Sequence, residues 1–354
     1  MIKFGIVGTG WRSHFFHRAA QACPDLFTCV GVVSRDPERA APLGEQYDVN
    51  LYPSLDDLLA QKPDYVITSV PWPVTPSLLH QLADANMPAL AETPPAPTTE
   101  EMPDLCQRTK NGAIIQVAEQ YFLQPHHAAK LAFVQSGKLG TVSQAQVCAA
   151  HGYHGISLIR KFLGIGFECP TITAHEFTSP LVKGPNRNGP PEEETTGNSK
   201  QTIAYLNFGD RLGVFDFAGD QYFSHIRNQR VLIRGDRGEI INNTATYLQD
   251  YLTPITVNFT REWAGAEGNL EGNHLKGYLA GESWVYQNPL APGELSDDEI
   301  AVGDCMRLMG EHVNGGDPVY PLEEACQDHY LNLCIQQAQK EGTSLKVEPQ
   351  SWMP

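Results

Sequence analysis

The sequence predicts an α/β chain in which a doubly wound parallel sheet is followed by an α/β unit built on a large, mostly antiparallel open sheet. Three observations predict it. Ile2, Phe4, Ile6 and Val7 form an apolar run that ends in Gly8-Thr9-Gly10. Up to about Tyr121, apolar runs of strand length alternate with helical segments, the pattern that builds a parallel sheet covered on both faces. Beyond that point strands follow one another with few helices between them, as antiparallel sheets do. The boundary falls after Leu123, which divides the chain into units 1–123 and 124–354.

The opening run reads as a strand buried on both faces. Ser13 to Cys23 reads as a helix ended by Pro24, and Thr28 to Val33 as the second strand. Asp36 is placed to cap the next helix, with Pro37 at its first position. Ser54 to Leu59 opens a short helix, and Tyr65 to Val70 is a strand that stops at Pro71. Pro76 to Ala85 (helix), Ala89 to Ala91 (strand), Thr99 to Lys110 (helix) and Ala113 to Ala118 (strand) complete the alternation. In the second unit His126 to Ser136 and the apolar Ile156 to Leu163 read as helices. Strands are expected at Val142 to Cys148, Thr171 to Phe177, Gln201 to Phe208, Leu212 to Ala218 and Arg230 to Arg234. Lys183 to Ser199, rich in Gly, Pro, Asn and Glu, reads as a mobile loop, and Trp263 to Gly277 as a second glycine-rich segment. Ser296 to Asn314 and Leu322 to Glu341 read as the last helices.

Composition narrows the partners. A formal net charge of -16 repels phosphate-bearing surfaces and argues against nucleic acid and anionic membrane. No run approaches the roughly 20 apolar residues of a membrane span. The N-terminus does not read as a signal peptide, and the 8 cysteines form no C-x-x-C pair and read as reduced thiols, so a cytoplasmic location is expected. His151 and His154 are three apart, but spacing marks no further ligands beside them, so no metal is expected.

The opening turn carries the chemistry. Gly8 allows a tight turn, Gly10 allows close approach of a pyrophosphate, and a helix starting near Trp11 aims free N–H groups and a positive dipole end at that anion. Ser13 stands where the third glycine of G-x-G-x-x-G is usual; it is small enough for close helix–strand packing. A dinucleotide is therefore expected at Gly8, Thr9, Gly10, Trp11 and Arg12. The second strand ends at Ser34-Arg35, about 20 residues further on, where an acidic residue would bond a ribose 2′-hydroxyl and an arginine a 2′-phosphate. Arg35 with Ser34 favours NADP over NAD; the other reading has Arg35 stacking on adenine with either cofactor.

Seven segments in this order and spacing carry a resemblance over nearly the whole chain. They are GIVGTGW (Gly5–Trp11), VVSRDPERA (Val32–Ala40), TSVPWP (Thr68–Pro73), AETPPA (Ala91–Ala96), QSGKLG (Gln135–Gly140), GYHGISLIRKFLG (Gly152–Gly164) and the closing YPLEEACQDHYLNLCIQQAQKEG (Tyr320–Gly342). The chain resembles the Gfo/Idh/MocA family of NAD(P)-dependent oxidoreductases. The resemblance implies an N-terminal Rossmann domain, an α/β domain used for oligomerisation as a homodimer or homotetramer, and a sugar, cyclitol or other polyol-like substrate oxidised by hydride transfer. It implies that Ser69, Val70, Pro71 and Trp72 line the nicotinamide half of the crevice, that Glu92 supports the cofactor pocket, and that His154 is the acid/base. In the place of the family's Glu-Lys-Pro lysine stands Thr93, which offers a hydroxyl and no charge. The family's aspartate three residues after the histidine is Ser157. Thr93 and Tyr121 are expected near the substrate, with Tyr153, His151 and Arg160 as further substrate contacts; for Arg160 a structural role is the other reading. The missing lysine keeps two alternatives open: redox-neutral glycoside cleavage with tightly held NAD, suggested by Glu92-x-Pro94-x-Ala96, and a cofactor-binding sensor without turnover.

Overall fold

A computed structural model describes residues 1–353. The first sheet is built from β1 (Ile2–Val7), β2 (Phe27–Val33), β3 (Leu51–Tyr52), β4 (Tyr65–Thr68), β5 (Ala89–Ala91) and β6 (Ile115–Val117), with helices α1 (Ser13–Ala22), α2 (Pro37–Tyr47), α3 (Leu55–Leu59), α4 (Thr75–Asp84) and α5 (Met102–Lys110) between them. All its pairings are parallel, in the order β3-β2-β1-β4-β5-β6. The order reverses between β1 and β4, so the crevice for a ligand opens at the carboxyl ends of those two strands. Alternation along β4 splits its side chains between two cores. Tyr65 and Ile67 join Phe4, Ile6 and Phe16 on one face, while Val66 packs with Leu79, Met102 and Val117 on the other.

The second sheet follows α6 (Pro125–Gln135). It contains β7 (Val142–Cys148), β8 (Thr171–Val182), β9 (Thr196–Asn207), β10 (Leu212–Ala218), β11 (Arg230–Gly235), β12 (Gly238–Ile241), β13 (Thr244–Leu248), β14 (Pro254–Trp263), β15 (Leu275–Ala280), β16 (Ser283–Gln287) and β17 (Leu345–Lys346). These form one 11-stranded sheet, antiparallel except where β10 runs parallel to β7. Helices α7 (Gly152–Leu163), α8 (Asp297–His312) and α9 (Leu322–Glu341) complete the chain. The first core is continuous from Phe4 and Phe16 through Ile300 and Met306 of α8 to Phe162 of α7 and Ile233 of the large sheet. The two sheets therefore share buried apolar surface rather than being strung on a linker.

The alternating region matches the sequence expectation closely, and Asp36 does cap α2, accepting the Arg39 N–H at 3.0 Å. Three differences have physical causes. α7 starts at Gly152, four residues before its apolar run, because Gly152 takes a positive φ of 45° at the entry. β8 and β9 pair register by register out to Val182 and Thr196, so the loop between them is shorter than the expected 183–199. The hairpins from β12 to β16 were not anticipated, because most of their strands are short and closely spaced, although Ile255, Val257 and Phe259 alternate with polar residues along β14. No helix is long and apolar enough to cross a membrane among the described residues, and all 8 cysteines are free thiols.

Candidate active site

The crevice is shaped by the turn after β1. Gly8 adopts a φ of +112°, and a Cβ there would lie 2.0 Å from the Ser69 carbonyl oxygen. Only glycine lets the ends of β1 and β4 meet this closely. Gly10 is different: a Cβ there would meet nothing within 4 Å. Its openness faces outward, as a ligand's approach requires, rather than inward to the protein. Ser13 is buried and its hydroxyl donates to the Gly10 carbonyl at 2.7 Å, which fixes the turn against α1.

Gly8, Thr9, Gly10, Trp11, Arg12, Ser34, Arg35, Ser69, Val70, Pro71, Trp72, Glu92 and Thr93 line one cleft of about 950 Å³. That volume lies at the upper end of small-molecule sites, roughly 300–1,000 Å³. At its β2 end Ser34 is occupied locally, donating to the Asp36 carbonyl at 2.9 Å. Arg35 and Arg39 both face the cleft there, and the carboxylate of Asp36 is taken up in capping α2. Arg39 was not anticipated; its place one turn into α2, behind the capping Asp36, is the signal that marks it.

Arg12 lines the cleft, but its side chain is engaged elsewhere. Its side chain turns from the cofactor turn into an ion-pair bridge, with Nε donating to Glu92 at 2.9 Å and Nη1 to Asp298 of α8 at 2.8 Å. Burial works against its charge, but the two carboxylates more than offset this and hold the guanidinium protonated. Gln120 and Gln124 also donate to Asp298. The cation beside Thr93 is thus an arginine already neutralised by carboxylates.

Next to Thr93 lies a cluster of rings. The Tyr153 hydroxyl donates to the Thr93 carbonyl at 3.4 Å, and Trp72 meets Tyr153 edge-on at 6.4 Å. His154 sits in the first turn of α7 and its Nδ1 is 2.6 Å from Glu119 Oε2, just beyond β6. The other Glu119 oxygen accepts the Tyr121 N–H at 3.2 Å. Tyr121 lies against the His154 ring, centroids 4.4 Å apart, and its hydroxyl is 3.0 Å from that of Tyr222. The Tyr222 hydroxyl also accepts the His151 N–H at 3.1 Å and lies 2.7 Å from His151 Nδ1. His154, Tyr121, Tyr153 and His151 are therefore brought together, outside the cofactor cleft itself but at its Thr93 end.

Burial pushes the Glu119 carboxyl up to about 7 and, aided by Arg12, the His154 imidazole down to about 3. Both groups are driven toward their uncharged forms. With His154 neutral and Glu119 ionised, Nδ1–H donates to the carboxylate and Nε2 keeps its lone pair. With Glu119 protonated, the proton can sit between Oε2 and Nδ1, leaving Nε2–H as a donor. The glutamate thereby sets whether the imidazole presents a base or an acid.

Arg160 takes the structural role rather than that of a substrate contact. It is 1% exposed and pairs with Asp328 at 2.6 Å and Glu324 at 2.7 Å, and donates to the Gly166 and Glu324 carbonyls. Six residues along α7 from His154, it points away from the ring cluster and has no donor left for a substrate. Two members of the cluster were missed in the sequence. Glu119 is the first charged residue after a parallel strand, a position that ordinarily faces the crevice. Tyr222 carries no local signal, since its single-turn helix follows β10 a hundred residues from Tyr121 in the chain.

Residues 2–119 match the model of the Gfo/Idh/MocA oxidoreductase family with its NAD-binding Rossmann fold. Over those residues the chain is similar to that family. No curated protein sequence matches the chain. Among solved structures, an oxidoreductase from Agrobacterium radiobacter in complex with NAD+, L-tartaric acid and magnesium is 16% identical, with 98% of each chain covered and a TM-score of 0.68. Levoglucosan dehydrogenase in complex with NADH and levoglucosan is 15% identical over 98% of this chain and 99% of its own, TM-score 0.69. The WlbA dehydrogenase from Bordetella pertussis, in complex with NADH and UDP-GlcNAcA, is 15% identical over 99% of both, TM-score 0.63. At these identities the likeness establishes that the chain shares the fold of these oxidoreductases over its whole length.

Proposed function

We propose that this protein is an NAD(P)-dependent oxidoreductase that oxidises a secondary hydroxyl of an uncharged sugar or polyol. The observation that carries the reading is the 2.6 Å Glu119–His154 pair at the Thr93 end of the cleft. The open space over Gly10, the start of α1, which no side chain caps, and the volume of the cleft fit a dinucleotide. When bound, its nicotinamide ring supplies the hydride acceptor. His154 Nε2 takes the hydroxyl proton as the carbinol C–H bond breaks, and Glu119 stabilises the imidazolium through Nδ1–H. In the reverse direction the same nitrogen returns the proton. Trp72, Tyr121 and Tyr153 offer ring faces to the apolar side of a pyranose, with hydroxyls for its polar edge. Among the described residues the cluster holds no Lys or Arg apart from the doubly paired Arg12, which supports a neutral substrate.

Arg35 and Arg39, both lining the β2 end of the cleft, support NADP over NAD. Phe177 on β8 and Tyr205 on β9 stand exposed, which supports association through the large sheet; a monomer in sedimentation would remove that reading. The main test titrates both cofactors by fluorescence and then screens neutral sugars and polyols for nicotinamide reduction. NADPH is expected to bind more tightly than NADH. On the substrate found, His154→Ala is expected to lower kcat by about 10²–10⁴-fold; full turnover in that variant would remove the role. Product release without any change in nicotinamide absorbance would instead assign redox-neutral cleavage.

A further inference from the structure

The loop between β8 and β9 reaches the cofactor turn. Its two limbs are joined at the base, where the Lys183 N–H donates to the Thr195 carbonyl at 2.9 Å. Near the base Gly184 packs against the 223–224 segment; a Cβ there would lie 3.2 Å from the Ser224 Cα. At the tip Asn186 and Gly189 exchange reciprocal backbone hydrogen bonds at 3.0 Å, and the Asn186 side chain accepts the Asn188 N–H at 2.7 Å. These bonds define a two-residue turn with Arg187 at its apex. Glu192–Glu194 lie past the tip, on the returning limb.

The Arg187 guanidinium lies over the Trp11 ring, 4.0 Å from its centroid. Trp11 belongs to the Gly8–Gly10 turn and lines the cofactor cleft, and its other contact is the edge of Phe15 at 4.7 Å. Among the described residues no carboxylate or carbonyl accepts from Arg187, so stacking on Trp11 leaves its planar fork of N–H donors unspent. A guanidinium held over an aromatic ring keeps its N–H donors free for acceptors beyond the ring's rim. Here the rim borders the turn where backbone N–H groups and the start of α1 favour an anion. The chain spends a cation at the end of a built turn, in a protein of net charge -16, against the one place where two phosphates are expected.

We propose that Arg187 is a cofactor-binding residue, supplied by the second sheet to the pyrophosphate of the dinucleotide held at Gly8–Gly10. It retains the cofactor by a charge-assisted contact that the first sheet does not provide, since Arg12, the arginine of the turn itself, is committed to Glu92 and Asp298. The proposal rests on the dinucleotide reading above.

The test uses the full-length protein with NADH and NADPH as probes, and measures Kd by fluorescence and release by stopped flow. Arg187→Ala is expected to weaken both cofactors about tenfold, mainly through faster release. Arg187→Lys is expected to recover part of this loss, and Arg187→Glu to lose more than the alanine variant. The dependence of Kd on salt is expected to flatten in Arg187→Ala, because one charge contact is removed. Arg187 is exposed, so thermal melts of the variants should match the wild type. Wild-type Kd, release rate and salt dependence in both Arg187→Ala and Arg187→Glu would overturn the proposal. A wild-type protein that binds neither cofactor would overturn the dinucleotide reading itself, which is a distinguishable result.

Discussion

Helix α7 carries two buried polar side chains, His154 in its first turn and Arg160 near its end, and their surroundings are completed differently. Arg160 has every donor answered by Asp328, Glu324 and two carbonyls. His154 has one nitrogen held by Glu119, and no hydrogen bond joins the other to a protein group among the described residues. A polar group whose valences are all spent holds structure; one left with a single open valence beside a cleft can do chemistry. The difference separates residues that sequence reading placed in the same site.

The largest effect should come from breaking the closed cluster. Arg160→Met leaves the Asp328 carboxyl buried, with burial already pushing it up to about 7. It is expected to cost about 3–5 kcal/mol of stability in urea unfolding, with unchanged cofactor Kd in the folded protein. Stability near that of the wild type would erase the contrast. Glu119→Gln tests the open cluster. It is expected to lower kcat by about 10²-fold with little change in KM. The wild type should gain activity in the oxidative direction as pH rises through about 7, where Glu119 ionises, and the glutamine variant should lack that limb.

The same pair should leave a mark on stability. The Glu119 carboxyl is raised from 4.5 to about 7, so its contribution is fully present below 4.5 and is lost as pH rises through 7. His154 is lowered from 6.5 to about 3, so its contribution is present above 6.5 and is lost as pH falls toward 3. In thermal melts Glu119→Gln should flatten the alkaline side of the stability profile and leave the acid side in place. The smallest expected effect lies outside both clusters. His127 on α6 is fully buried with neither ring nitrogen bonded. His127→Leu should stabilise the protein by about 1 kcal/mol at neutral pH and by more at pH 5. A loss of stability there would mean that the ring has a partner.

Much of the fold was legible because its signals are local. The apolar run into Gly8 and Gly10, the Asp36 cap and the Pro-bounded strands each depend on a few adjacent residues. That these residues line one cleft was legible for the same reason, since strand ends converge in a parallel sheet. The pairings that sort the site were not. Arg12 could not be told from a free cofactor ligand without Asp298, which lies 286 residues away, nor Arg160 from a substrate contact without Asp328, 168 residues away. Glu92 and Glu119 look alike in sequence, each a glutamate just past a short apolar strand. What separates them is that one meets a guanidinium and the other an imidazole, and that is decided by helices arriving from elsewhere in the chain.

The outer edge of β6 is closed by the far end of the polypeptide. The Val117 N–H donates to the Tyr320 carbonyl at 2.9 Å, and the Tyr320 N–H to the Gln116 side chain at 3.0 Å. During synthesis the first sheet therefore emerges with its last strand unprotected, and some two hundred further residues leave the ribosome before the segment that covers it exists. A nascent chain halted before Tyr320 exposes a strand edge to its neighbours on the polysome.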